Sequence, residues 1–172
     1  MPRRYKIFLW LGTITLVLDQ ISKYWARRLP TDLRGYGEPV AVIQNFWDWQ
    51  LSYNTGSAFG LFSSTGGARV FLTIIGFVAV GAIVWMLVKA NENQKWFAYA
   101  LALVAGGAVG NIIDRIAFGK VTDFVVWKYH DSRWPTFNVA DAALCVGVGL
   151  LLLSELKKEG REPTADPDDD DA

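Results

Sequence analysis

Four long apolar stretches, separated by polar segments, dominate the hydrophobicity pattern of this chain. Each is long enough, or nearly long enough, to cross the roughly 30 Å hydrocarbon core of a bilayer as a helix. The pattern predicts a single four-span domain over residues 1–160, with both ends on one side of the membrane. The predicted spans are residues 7–25, 70–88, 96–115 and 137–155.

The loop between the first two spans, about residues 26–67, has its own pattern. Apolar and polar residues alternate from Trp47 to Asn54, which is the period of a half-buried strand, and residues 40–43 are a second strand candidate. The segment 121–127 is also β-prone. A small extracytoplasmic sheet with an interfacial segment before span four is one interpretation. The other is an aromatic belt at the depth of the lipid headgroups.

Composition supports a membrane protein and excludes other classes. The chain is 52% hydrophobic and contains eight Trp, which is too apolar for an ordinary soluble domain of 172 residues. The net charge of zero gives no basic surface for nucleic acid. With one His and one Cys, a His/Cys zinc site is excluded, and no metal or cofactor is expected. The acidic tail, residues 161–172, is expected to be disordered.

The polar residues of the spans fall at three places that an alternating topology brings to one side of the membrane. An ionisable group at membrane depth is costly and by default indicates a functional site. Lys and Arg are denser in the short segments on the side of the termini, which places the termini in the cytoplasm and the polar cluster outside. The cluster consists of Asp19 and Lys23, then Asn111, Asp114 and Arg115, then Asn138 and Asp141.

Two aspartates suggest the chemistry of this cluster. Asp123 and Asp141 are separated by seventeen residues that have only to double back at the outer membrane boundary. Two close carboxylates share a proton, so that one can activate water while the other polarises a carbonyl. The alternative is structural, with each aspartate capping a helix or pairing with Arg115 or a lysine. Asn138 lies three residues before Asp141 and shares its helix face.

The other polar and small residues have simpler interpretations. Asp19 and Lys23, at i and i+4, are expected to form an ion pair. Asn54 with Gly56 could present an amide to a substrate backbone, and Arg115 could meet a phosphate or a carbonyl. Small residues at Gly106 and Gly110 predict close helix packing. A Ser-Lys dyad and the HExxH zinc-protease pattern are both excluded.

Five ordered elements of the chain resemble the bacterial lipoprotein signal peptidases, the aspartyl peptidases also called signal peptidase II. The resemblance covers nearly the whole sequence. The matching elements are Leu18-Asp19-Gln20 with Lys23, Asn54-Thr55-Gly56-Ser57-Ala58-Phe59, Gly110-Asn111-Ile112-Ile113-Asp114-Arg115, Val121-Thr122-Asp123-Phe124 and Phe137-Asn138-Val139-Ala140-Asp141.

The resemblance implies an aspartyl endopeptidase of the bacterial inner membrane that cuts prolipoproteins before their diacylglyceryl-modified cysteine. It implies that Asp123 and Asp141 are the catalytic pair, that the active site faces outward, and that the partners are prolipoproteins and membrane lipids. The enzyme is expected to be a monomer. The supporting residues would be Asp19, Lys23, Asn54, Gly56, Asn111, Asp114, Arg115 and Asn138.

Two other classes of function use the same features. A transporter or proton relay would also carry membrane-embedded carboxylates, although it should have ionisable groups through the midplane, and span two has none. A non-enzymatic lipid-binding or assembly protein would need the aromatic residues and Arg115, but not two carboxylates.

Overall fold

The computed structural model describes residues 1–56 and 67–159, which form four helices and a small antiparallel sheet. This confirms the prediction of a mainly helical protein with a small sheet. The predicted acidic tail and residues 57–66 of the loop lie outside the described residues. In chain order the elements are α1 (Arg3–Ala26), β1 (Val40–Ile43), β2 (Trp47–Asn54), α2 (Gly67–Lys89), α3 (Lys95–Phe118), β3 (Val121–Tyr129), β4 (Ser132–Arg133) and α4 (Val139–Glu159).

Two helices, α2 and α3, are long and apolar enough to cross a bilayer by length and composition alone. The apolar part of α4, Val139–Ser154, is shorter. Helix α1 is long enough, but Asp19, Gln20 and Lys23 lower the hydropathy of its second half. The four helices match the positions of the four predicted spans, and the crossing of the membrane by all four stays a prediction.

Helix α3 lies at the centre and packs against the other three helices. Small residues allow this close approach. A Cβ atom on Gly106 would lie 2.7 Å from the carbonyl oxygen of Gly12 in α1, and one on Gly107 would lie 2.5 Å from the carbonyl oxygen of Ala140 in α4. A Cβ atom on Gly110 would collide with the Asp19 carboxylate. The predicted close packing at Gly106 and Gly110 is therefore confirmed.

Helix α2 packs differently, because most of its side chains are exposed. An apolar surface of this extent is rare on soluble monomers and is typical of contact with lipid. Together with the apolar α3, it indicates a membrane protein. The large exposed residues of α2 are Val70, Phe71, Ile74, Ile75, Phe77, Val78, Val84, Trp85 and Val88.

The sheet has the order β1-β2-β3-β4, and its central pair brings the outer loop against the segment that carries Asp123. In the β2–β3 register Ser52 lies opposite Asp123, after an irregularity that begins at Trp49. The sheet packs on the end of α1, where the Trp25 and Trp49 rings meet edge to face at 5.3 Å. Residues 47–54 form a strand, as the alternation predicts, and the second candidate, residues 40–43, is a strand as well. The expected interfacial segment before α4 contains a short hairpin, because β3 continues to Tyr129 and pairs with β4.

Candidate active site

Asn138 and Asp141 form a reciprocal cap at the start of α4. The Asp141 N–H donates to Asn138 Oδ1 at 2.9 Å, and the Asn138 N–H donates to Asp141 Oδ2 at 3.2 Å. This arrangement is the asparagine–aspartate counterpart of a capping box. The helix therefore begins at Val139, two residues later than predicted. Capping, one of the structural roles considered for Asp141, is thus present, and it fixes the direction of this carboxylate.

The same asparagine connects Asp141 to Asp123. Asn138 Nδ2 donates to Asp123 Oδ1 at 2.6 Å, so that one side chain contacts both candidate catalytic residues. The main chain makes this approach possible, because the Phe137 carbonyl accepts from the N–H groups of Phe124 and Val125 in β3. The predicted doubling back of the chain is therefore present, and it brings the two aspartates to a common partner.

Asn111 holds the other side of Asp141, and its amide orientation is determined by its neighbours. Lys23 Nζ donates to Asn111 Oδ1 at 2.8 Å, and Asn138 Nδ2 donates to the same oxygen at 3.2 Å. Because an ammonium can only donate, the amide oxygen must face Lys23. The amide nitrogen is thereby directed to Asp141 Oδ1, at 2.9 Å.

A fully buried ion cluster lies behind these asparagines. Lys23 Nζ is 2.9 Å from Asp19 Oδ2 and 3.8 Å from Asp114 Oδ2, and all three side chains are 0% exposed. The predicted pairing of Asp19 with Lys23 is confirmed. Asp19 Oδ1 also accepts from the Ala140 N–H at 3.0 Å, which ties α1 to the first turn of α4. The cluster thus joins the helices that carry the site.

Sequence reasoning missed Arg27 and Thr122. Arg27 donates to Asp114 Oδ1 at 2.7 Å and to Thr122 Oγ1 at 3.1 Å. The other Asp114 oxygen accepts from the Thr122 N–H at 2.8 Å. A signal was available, because Asp19, Lys23 and Arg27 recur every four residues and so lie on one face of α1.

Arg115 lies half-buried beside the two aspartates and interacts electrostatically with Asp141, Asp123 and Asp114. One of its nitrogens donates to the Asn111 carbonyl at 3.3 Å. The side chains around the aspartate pair thus include three cations, Lys23, Arg27 and Arg115, and two further carboxylates, Asp19 and Asp114. If the pair carries one negative charge, the total charge of the site is zero. A zero total is favoured because burying net charge is costly. The arrangement favours one proton shared by Asp123 and Asp141.

The pKa of Asp123 indicates where that proton lies. Burial of the side chain, which is 2% exposed, and then the charge of Asp141 raise the pKa of Asp123 to about 7. Hydrogen bonds from Asn138 and Asn54 oppose this rise. Below about pH 7 Asp123 therefore holds its proton.

Asn54 reaches Asp123 through a turn that requires Gly56. The Gly56 N–H donates to Asn54 Oδ1 at 2.9 Å, which leaves the amide nitrogen for Asp123. Gly56 has a φ of +81°, which side chains rarely adopt. The amide is thus directed at a catalytic candidate, whereas the sequence suggested a contact with substrate. Among residues 1–56 and 67–159, no group of three or more His, Cys, Asp or Glu could hold a metal ion.

The comparisons with known proteins agree with this geometry. The model of the Signal peptidase (SPase) II family matches residues 11–157. The lipoprotein signal peptidase of Polynucleobacter necessarius is 41% identical over 152 residues, which are 88% of this chain and 90% of the relative. The lipoprotein signal peptidase of Ralstonia nicotianae is also 41% identical, over 90% of this chain and 86% of the relative.

Solved structures extend the similarity to the fold. A bacterial membrane enzyme determined by the in meso method at 2.3 Å resolution superposes with a TM-score of 0.78 at 28% identity, over 92% of this chain and 93% of that one. A second, determined at 1.9 Å, gives 0.77 at 30% identity, over 87% and 92%. Fold and site thus define a membrane-embedded hydrolase. The chain belongs to the signal peptidase II family and is a peptidase.

Proposed function

We propose that this peptidase removes signal peptides from prolipoproteins by cleaving before the diacylglyceryl-modified cysteine, with Asp123 and Asp141 activating the water. The names of the relatives support the substrate. The observation that carries the assignment of residues is that Asn138 contacts both carboxylates. Its side-chain amide donates to Asp123, and its main-chain N–H donates to Asp141.

In this mechanism Asp141 is the general base and Asp123 is the general acid. Asp141 accepts a proton from water, the resulting hydroxide attacks the scissile carbonyl carbon, and Asp123 gives its proton to the carbonyl oxygen. Asp141 then passes the accepted proton to the leaving amine as the C–N bond breaks. Reprotonation of Asp123 from the tetrahedral hydroxyl restores the pair, so no covalent intermediate forms. Asn54, Asn111 and Asn138 hold the carboxylates, and Arg115 balances their shared charge.

An in vitro cleavage assay tests the function. The purified enzyme should cut a diacylglyceryl-modified prolipoprotein and leave the unmodified precursor intact, and a chelator should not slow it. Absence of cleavage, together with enzyme-dependent ion flux in vesicles, would instead favour a transporter or proton relay.

The proposed topology is a single domain of four spans in the bacterial inner membrane, with cytoplasmic termini and the site at the outer face. The lipid-facing surface of α2 and the collection of polar side chains at one end of the bundle support it. Asp19, Lys23 and Asp114 would then lie below the outer boundary, and the sheet would lie on it. The enzyme is proposed to act as a monomer.

We expect cysteine labelling of intact cells to show this orientation. In a Cys145→Ser background, a cysteine replacing Ser132 in the outer hairpin should react with a membrane-impermeant maleimide. A cysteine replacing Asn93, between α2 and α3, should react only after permeabilisation. The opposite pattern would place the termini outside and overturn the topology.

The protonation of Asp123 predicts a pH dependence. Because the mechanism requires a protonated Asp123 and the pKa of Asp123 in the free enzyme is about 7, kcat/KM for cleavage should fall as the pH rises through about 7. The measurement is the pH profile of kcat/KM with a lipid-modified substrate. A kcat/KM that keeps rising from pH 6 to pH 9 would contradict the assignment of Asp123 as the acid.

Stability gives an independent check of the same pKa. Because Asp123 holds its proton more tightly when folded, the native state loses stability as the pH rises from about 4 to 7, by about 4 kcal/mol in all. The measurement is the melting temperature as a function of pH. In the Asp123→Asn variant the melting temperature should fall much less between about pH 4 and pH 7 than it does in the wild type. The Asp131→Asn variant, at an exposed turn, should show the same fall as the wild type.

A further inference from the structure

Arg27, at the end of α1, is half-buried beside the strand that carries Asp123. Its side chain makes two contacts with different elements, one to the Asp114 carboxylate of α3 and one to the Thr122 hydroxyl of β3, at 2.7 and 3.1 Å. The guanidinium also lies over the Phe118 ring, 4.0 Å from its centroid. It is thus held in one orientation by three neighbours.

These contacts converge on one residue of β3. The Thr122 N–H donates to Asp114 at 2.8 Å, so Arg27 and Asp114 together hold both the main chain and the side chain of Thr122. The Thr122 carbonyl accepts from Asn138 Nδ2 at 3.3 Å. The N–H, the carbonyl and the hydroxyl of Thr122 are therefore all hydrogen-bonded. These bonds fix the strand at the position directly before Asp123.

We propose that Arg27 is a positioning residue for the peptidase reaction, because it fixes β3 through Asp114 and Thr122 and thereby sets the position of the Asp123 carboxylate. Arg27 does not itself touch the two candidate catalytic carboxylates in any hydrogen bond found in the described part of the chain. Its planar guanidinium can reach two acceptors in fixed directions, which the single ammonium of a lysine cannot do in the same geometry. This inference rests on the proposed role of Asp123.

The Arg27→Lys variant tests the proposal, because it keeps a positive charge beside Asp114 and gives up the two-point contact. Misplacement of a catalytic group by about 1 Å can cost up to about 10²-fold in rate, so we expect kcat to fall about 10- to 100-fold. The KM for a lipid-modified prolipoprotein should change less than about twofold, since substrate contacts are untouched. Arg28→Lys is the matched control, because Arg28, just past the end of α1, is exposed and stacks on Tyr24 of that helix.

Thr122 provides the second arm of the test. Thr122→Val keeps the shape and removes the hydroxyl that accepts from Arg27, so it should lower kcat as well, whereas Thr122→Ser should retain activity. If Arg27 acts through Thr122, the Arg27→Lys/Thr122→Val double variant should be no slower than the slower single variant by more than about twofold. Melting temperatures measured in detergent identify any variant that is misfolded.

Three outcomes would overturn the inference. The first is a kcat of Arg27→Lys within twofold of the wild-type value. The second is an Arg27→Lys variant in which KM rises and kcat is unchanged. The third is a double variant whose loss in kcat equals the product of the losses of the two single variants. The Asp123→Asn and Asp141→Asn variants separate this from the proposed mechanism. If they remain active, the aspartate pair is wrong. If they are inactive while Arg27→Lys is fully active, only the positioning role fails.

Discussion

Replacing either Asp123 or Asp141 by asparagine should reduce kcat for cleavage of a diacylglyceryl-modified prolipoprotein by about 10³-fold. Asparagine has nearly the same shape as aspartate and can neither accept nor donate the proton that the reaction moves. Because both residues are needed in each cycle, the two losses should be of similar size, and the double variant should be little slower than either single variant. The measurement is single-turnover cleavage with purified enzyme in detergent.

The matched control for this experiment is Asp131→Asn, which makes the same chemical change in the exposed turn after β3 and should leave kcat unchanged. Thermal unfolding should show that both site variants are folded, since the amide oxygen of the new asparagine can still accept one of the hydrogen bonds that the carboxylate accepted, and only the second donor loses its acceptor. Retention of more than a tenth of the wild-type kcat by either variant would rule out the aspartyl mechanism proposed for this site.

Replacing Lys23 by methionine should lower the free energy of unfolding by about 3–5 kcal/mol. Lys23 is fully buried between Asp19 and Asp114, and its removal leaves the Asp19 carboxylate buried without its ion partner. The amide of Asn111 also loses the donor that fixes its orientation toward Asp141. Unfolding in detergent, followed by circular dichroism, measures the stability, and the cleavage assay should show that activity is lost as well.

A double variant distinguishes this buried charge from simple loss of packing. Asp19→Asn combined with Lys23→Met removes both charges of the pair, so it should be more stable than Lys23→Met alone. Lys6→Met, at an exposed position of the same helix, should leave stability within about 0.5 kcal/mol of the wild type. A Lys23→Met variant as stable as Lys6→Met would show that the buried pair adds nothing.

The elements of this fold were predictable because each has a simple periodic cause. Uninterrupted apolar runs located α2 and α3, and strict alternation from Trp47 to Asn54 located β2 with its bounds. The polar members of the site were also visible, because residues such as Asp19 and Asn111 are costly in an apolar stretch unless they have partners. Their grouping at one end of the helices was expected from the alternating direction of the four predicted spans.

The partners of these residues were not predictable, because they depend on tertiary distances. Nothing in the sequence indicates that Asn138 bridges two aspartates or that the Asn111 amide faces Asp141. Arg27 was missed because a cation just past a span normally lies in water or among lipid headgroups. Strand β3 brings Thr122 and helix α3 brings Asp114 against it, and these residues lie 95 and 87 positions further along the chain.

The pair of Asp19 and Lys23 has a consequence for biosynthesis. The two residues lie one turn apart on α1, so a helix leaving the ribosome can neutralise both charges internally before α3 and α4 have been made. A charge in an inserting helix costs up to roughly 3 kcal/mol at the centre of the helix and less toward its end, and an internal counter-ion reduces that cost. In the proposed topology the first helix would therefore enter the bilayer with its Asp19 and Lys23 charges balanced. Asp114 of α3 is synthesised later and then lies near Lys23, which is already paired with Asp19.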